Sequence, residues 1–201
     1  MTKHRRIEIS GGVASGKTTL CHLLAKNGLR SEFERFLDNP FWALFYQDPT
    51  LHAFETELTF LLQHYSQIKT SISAPSTVAF DYSLLQDEAY ARVNLNDGRL
   101  EAFEAVHRYI MEELPPPVLI IHLQCPPEEE LRRIRSRARR EETSIQLAYL
   151  DALNSAIAHA VGEVRPRVPV LEINSAVLDF ANNAVSQARV VSNILIAAGK
   201  G

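Results

Sequence analysis

The residues with the most specific chemistry lie near the start of the chain. Gly11-Gly12-Val13-Ala14-Ser15-Gly16-Lys17-Thr18 follows the spacing glycine, four residues, glycine, lysine, then serine or threonine. Gly11 and Gly16 let the backbone curl until successive N–H groups point inward, a concavity that accepts anions. A helix beginning at the loop adds its positive end. Lys17 supplies a compact cation for terminal phosphates, and the Thr18 hydroxyl can ligate Mg²⁺ that bridges phosphate oxygens. The pattern predicts a cradle for a magnesium nucleotide; a chance glycine-rich turn is the plain alternative.

Three further features could act on phosphate. The stretch Arg132 to Arg140 carries six arginines. Their forks match phosphate oxygens and can stabilise charge on a migrating phosphoryl group. The same run could be a solvated helix face or a nucleic-acid patch. Glu34 could take a proton from an attacking hydroxyl, or be an ordinary surface acid. Asp81 could hold Mg²⁺ directly or through water, since ligands gather at the C-terminal edge of parallel sheets. It could also cap the helix that follows.

Short β-rich runs alternate with longer helical patterns, and this predicts the framework that carries these residues. Strands are expected at 6–10, 77–81, 117–123 and 168–174, with a shorter one at 29–33. The run Val118-Leu119-Ile120-Ile121-His122-Leu123 is apolar on successive residues, as a strand covered on both faces should be. Helices are expected at 18–26, 50–73, 100–114, 128–137, 144–161 and 176–197. Pro115-Pro116-Pro117 ends one of them, because proline disfavours helix at the residue before it. The alternation argues for a three-layer α/β domain with a mainly parallel five-stranded sheet flanked by helices, the P-loop NTPase architecture. Strand order does not follow from the pattern.

At 201 residues, with no repeat or linker, the chain suits a single domain over 1–201. A net charge of −3 argues against a general binder of nucleic-acid polymers or membrane surfaces. Cys21 and Cys125 match no metal or redox spacing and are expected to be buried apolar residues in a reducing compartment. The basic start, Met1 to Arg6, is followed by Ile7-Glu8-Ile9-Ser10, which is no signal peptide, and no segment suits a bilayer span. A cytoplasmic enzyme is expected. The N-K-x-D tetrapeptide of GTPase base recognition is absent, and the length leaves no room for motor machinery. A small-molecule or nucleotide kinase fits best.

Several segments, in order, resemble the deoxynucleoside kinase family, which moves the γ-phosphate of ATP to the 5′-hydroxyl of a deoxynucleoside. Residues 7–19 are similar to its first strand and P-loop, with Thr19 in the nucleotide-binding stretch. Glu34-Arg35-Phe36-Leu37-Asp38-Asn39-Pro40 resembles E-P-V-x-D-N-P of bacterial members, and Phe45-Tyr46-Gln47-Asp48-Pro49 follows it. Asp81-Tyr82-Ser83 stands where the family carries D-R-S or E-R-S, and residues 133–142 resemble its lid. The resemblance implies Glu34 as general base, Thr18 and Asp81 at Mg²⁺, and Arg133, Arg137 and Arg139 closing over ATP. Arg132 and Arg135 would face solvent. Tyr46 and Glu142 fall where members hold the sugar 3′-hydroxyl, a packed aromatic and a helix-start charge being the plain alternatives. A homodimer through long helices such as 50–73 and 100–114 is also implied.

Three positions depart from that pattern. The D-R-S arginine is Tyr82, which removes a cation near the transferred phosphoryl group. The base-reading glutamine is Glu57, and a later helix arginine falls near His64. Ionised glutamate only accepts hydrogen bonds, so an ionised Glu57 would favour a guanine-like face over an adenine-like one. Phe33, Phe36, Phe41, Trp42, Phe54 and Phe80 are candidate walls for a flat acceptor. The alternatives are a kinase of another small hydroxylated metabolite, or a nucleotide-binding module without catalysis.

Overall fold

A computed structural model describes residues 5–72 and 76–199. Five strands, β1 (Arg5–Gly11), β2 (Arg30–Glu32), β3 (Thr77–Phe80), β4 (Leu119–Gln124) and β5 (Val170–Asn174), form one sheet. Their order is β2-β3-β1-β4-β5 and every pairing is parallel. β1 is therefore central, with Ile9 opposite Ile121 of β4 and Glu8 opposite Phe80 of β3. The loop that follows β1 thus opens at the C-terminal edge of the sheet, between two other strand ends.

The two faces of β1 are covered by different chemistry. Ile7 and Ile9 join Leu20, Leu24, Val190 and Ile194, from α1 (Lys17–Lys26) and α8 (Ala184–Ala197), in one core. The opposite face carries Arg6 and Glu8, both buried, with Arg6 Nε 2.6 Å from Glu8 Oε1. Glu8 Oε2 also accepts from the Leu84 amide at 3.2 Å, which fixes the start of α4 (Leu84–Asn94) against the sheet. That layer is completed by α3 (Pro49–Ser71), α5 (Asp97–Glu113), α6 (Pro127–Arg137) and α7 (Leu147–Val164). A short α2 (Trp42–Gln47) precedes α3, whose start is set by Asp48 accepting from the Leu51 amide and by Pro49 in its first turn.

The expected helix over 176–197 forms only from Ala184. Asn174 Oδ1 takes the amides of Ala176 and Val177, and Asp179 Oδ1 takes those of Ala181 and Asn182. These side chains offer the backbone local turns that compete with helix. The helix expected from 144 starts at Leu147, because Glu141–Ser144 is a 3₁₀ turn, and runs on to Val164. β4 starts at Leu119, after Pro117, which has no N–H to give the ladder, and Val118, whose amide donates to the Arg6 carbonyl at 2.9 Å. Two helices, α2 and α4, were not expected. α4 lies between α3 and α7 and is buried on several sides, so it lacks the one-sided apolar stripe that marks a surface helix. The end of the helix expected at 50–73 lies outside the described residues, as do residues 1–4.

Candidate active site

The loop predicted as a phosphate cradle joins β1 to α1. Gly16 has φ 108°, a left-handed conformation that suits glycine, and Ala14 has φ 61°. A Cβ on Gly12 would collide with the Glu130 carboxylate and the Asn154 amide, so the second glycine is required by close packing beneath the loop. Lys17 Nζ donates to the carbonyls of Gly11 and Gly12 at 2.8 and 2.9 Å. Burial pulls the ammonium below its usual range, against the attraction of Glu34, Asp81 and Glu130.

A cavity of about 620 Å³ opens beside the loop, lined by Ala14 to Thr19, by Arg132, Arg133, Arg137 and Arg139, and by the loop 175–182. Gly11, Gly12 and Val13 lie behind it, all three buried. The arginines are already in ordered contacts. Arg133 donates to the carbonyls of Ala14, Ser15 and Ser175 at 3.3, 3.3 and 2.8 Å, bracing the back of the cradle. Arg137 and Arg139 both hold Glu142, at 2.5 and 3.2 Å, and Arg139 lies 4.3 Å over the Phe36 ring. Arg132, expected in solvent, reaches the cavity rim while staying 68% exposed and paired with Glu129. Arg135 is exposed as expected.

A second, smaller cavity of about 80 Å³ is lined by Glu34, Glu57, Gln86 and Asp87 and by the aromatic rings of Trp42, Phe45, Tyr46, Phe60, Tyr90 and Tyr149. Beyond Phe45, Tyr46 and Tyr149 it adjoins a groove of about 420 Å³. Asn94 stands between the two, donating to Glu57 at 2.7 Å and to the Tyr149 hydroxyl at 3.2 Å. Of the aromatic walls expected from sequence, Trp42 is present. Phe80 is closed into the core, and the Phe33 ring lies tilted against His22, with centroids 4.3 Å apart. Phe45, Phe60, Tyr90 and Tyr149 take their places.

Glu34 lines the smaller cavity, and Lys17 and Arg139 of the larger one act on its charge. Burial pushes its carboxyl up, but the hydrogen bond and charge of His64, followed by Lys17 and Arg139, outweigh this and hold it below the usual range. Asp81 is buried beside the Thr18 hydroxyl, and its Oδ1 has no hydrogen-bond partner. Burial, then Glu34, pushes its carboxyl up to about 7. An orphaned carboxylate oxygen next to a hydroxyl fits one edge of a Mg²⁺ site, which takes few protein ligands and several waters. Among the described residues no larger metal-binding cluster exists.

Three sequence expectations change here. Tyr82 does not line the smaller cavity: its ring is fully buried and its hydroxyl donates to Gln67 at 3.0 Å. Glu142 is buried between Arg137 and Arg139 and does not line the smaller cavity. Glu57 is not predominantly ionised at neutral pH. Burial pushes its carboxyl up to about 8, against the pull of the Asn94 hydrogen bond. As a carboxylic acid it donates and accepts, as the glutamine it replaces would.

With this geometry in view, residues 7–197 match the sequence family described as deoxynucleoside kinase. The chain belongs to the deoxynucleoside kinase family. It is 28% identical to a deoxyguanosine kinase of Bacillus subtilis over 196 residues, covering 94% of this chain and 95% of that protein. It is 30% identical to a deoxyadenosine kinase of Dictyostelium discoideum over 174 residues, covering 84% and 71%. Its fold superposes on a deoxyadenosine kinase from M. mycoides solved with dCTP, with a TM-score of 0.82, 21% identity and coverage of 96% and 99%. Deoxynucleoside kinase membership fits one cradle and one small aromatic cavity whose carboxylate, Glu34, feels the charge of Lys17 in that cradle. Sequence reasoning missed Asp87, Gln86, Asn94 and Tyr149 at this kinase site. The first three lie on the unexpected α4, whose lack of a one-sided apolar stripe left no signal for them in the sequence.

Proposed function

We propose that this chain transfers the γ-phosphate of ATP to the 5′-hydroxyl of a deoxynucleoside, with Glu34 as general base. The observation that carries the reading is the place of Glu34. It lines the acceptor cavity while feeling Lys17 and Arg139, which line the nucleotide cavity. In the reaction the acceptor oxygen forms a bond to the γ-phosphorus, its proton passes to Glu34, and the bond to ADP breaks. Lys17 leaves the Gly11 and Gly12 carbonyls for the phosphates, and the loop amides and lid arginines neutralise developing charge. Arg137 and Arg139 exchange part of their bonding to Glu142 for phosphate oxygens, and Arg133 keeps the cradle in shape. Thr18 and Asp81 would hold Mg²⁺, which neutralises charge on the phosphates.

The acceptor enters through the groove beside Asn94, with its base between the aromatic rings and its polar edge toward Glu57. A nucleoside needs more space than the small cavity gives, so Asn94 and Tyr149 must part as it binds. Tyr46 lines both spaces and can reach the sugar. A homodimer through α3 and α5 is supported by Leu62, Tyr109 and Met111, apolar side chains left exposed on those helices. No described helix is long and apolar enough to cross a membrane.

Glu34→Gln tests the assignment. Turnover should fall by ~10²–10⁴ with ATP affinity kept, as loss of a general base requires. Unchanged turnover would remove Glu34 from the reaction. A panel of deoxynucleosides, ribonucleosides and unrelated alcohols, read by mass spectrometry, separates the proposal from a kinase of another metabolite.

A further inference from the structure

Tyr82 in place of arginine leaves the proposed base without the cation that the family motif would set beside it. A different side chain stands there. His64, midway along α3, is 2% exposed. Its ring lies flat on Tyr82, with centroids 3.8 Å apart and planes 10° from parallel, and Phe60 stacks at 5.9 Å. Nδ1 is 3.0 and 2.8 Å from the two Asp87 oxygens, and Nε2 is 3.5 Å from Glu34 Oε1. Nε2 makes no hydrogen bond among the described residues, so Glu34 stands at ion-pair distance from it.

A neutral imidazole cannot satisfy this arrangement between two ionised carboxylates. It has one N–H; if Nδ1 donates to Asp87, the bare lone pair of Nε2 faces a carboxylate oxygen. Only the doubly protonated ring presents a donor to each side. We propose that His64 is the positioning cation of the acceptor site: braced by Asp87 and Tyr82, its imidazolium aims the Glu34 carboxylate at the acceptor hydroxyl in place of the missing arginine. The inference rests on Glu34 being the base.

The surrounding charges agree. Burial disfavours the charged ring, but Asp87 and Glu34 outweigh it and raise His64 well above its usual range. Asp87 on α4, Glu34 after β2, and Glu57 and Asp81 farther off all act on this ring, while Lys17 and Arg139 act on Glu34 from the other side. His107 on α5 acts on Asp87. Tyr82 fits the scheme as a flat neutral surface; an arginine there would put a second cation against the imidazolium.

The test compares wild type, His64→Gln, His64→Arg and Glu34→Gln in acceptor phosphorylation across pH. His64→Gln should lower kcat about 10²-fold, the cost of a misplaced reacting group, while leaving KM for ATP unchanged. It should also move the acid limb of kcat/KM upward by about one unit or more, because Glu34 then keeps the burial and loses the opposing charge. His64→Arg should recover most of the rate and return the limb toward acid pH. Wild-type rate and an unmoved limb in His64→Gln would overturn the inference while Glu34→Gln remains dead. An active Glu34→Gln would instead sink the base assignment. Should His64→Gln not fold, nitrogen NMR of the wild-type ring decides. Both nitrogens should be protonated at about pH 8, above the usual histidine value, and a neutral ring there would overturn the proposal.

Discussion

Replacing Glu57 with glutamine removes one proton-binding site from the wall of the acceptor cavity while keeping the shape of the side chain. Burial raises this carboxyl from 4.5 to about 8, against the Asn94 hydrogen bond, with Asp87 and Glu34 adding to the rise. The folded protein therefore holds the proton more tightly than the unfolded chain. Stability is fullest below the unfolded value, falls as pH climbs through the window between the two values, and levels above the folded one. At about 1.4 kcal/mol per unit, the loss is roughly 2 kcal/mol by pH 6 and roughly 5 kcal/mol by pH 8.5. Glutamine carries no such loss. Urea denaturation of both proteins should show the advantage of Glu57→Gln growing by about 3 kcal/mol over that interval. Comparing the pair cancels the contributions of Asp81 and Glu130, whose carboxyls burial also raises. A stability difference that stays constant with pH would refute the reasoning, and so would a wild type that gains on the variant.

The same proton should govern acceptor choice. Deoxyadenosine should compete best below about pH 8, where Glu57 still donates, and lose ground to deoxyguanosine above it; a preference that ignores pH would remove Glu57 from base reading. Lys17→Ala should cut turnover by ~10²–10³, as loss of one preorganised charge donor does, and a fully active variant would count against the cradle. Gly12→Ala should weaken nucleotide binding and cost about 1–3 kcal/mol of stability, because its Cβ meets Glu130 and Asn154. Calorimetric titration with ATP and thermal unfolding would check both effects. Glu8→Ala strands Arg6 in the interior and removes a partner from the start of α4, so denaturation should show about 3–5 kcal/mol lost.

What could be read from the chain depended on whether the chemistry was contiguous. The cradle was legible because its glycines, lysine and threonine are neighbours, and β4 because an unbroken apolar run has few other uses. The boundaries of α8 were not, since Asn174 and Asp179 capture amides that an apolar pattern alone assigns to helix. The acceptor site was legible only in part. Glu34, Tyr46 and Glu57 stand in recognisable segments, but the contact of His64 with both Glu34 and Asp87 joins three separate elements and has no local signature. The ionisation of Glu57 was also out of reach, because it is set by the depth of the cavity and not by residue type. Tyr82 looked like a lost function in isolation; beside His64 it is the surface on which another cation rests.

The most direct measurement follows a labelled γ-phosphate. The protein is incubated with magnesium ATP carrying isotopic oxygen on that phosphate, together with deoxyadenosine or deoxyguanosine, and the product is read by phosphorus NMR. The labelled phosphoryl group should appear attached to the deoxynucleoside's own, unlabelled 5′-oxygen, one equivalent for each ADP released. ADP without a phosphorylated nucleoside, or label on another hydroxyl, would contradict the account.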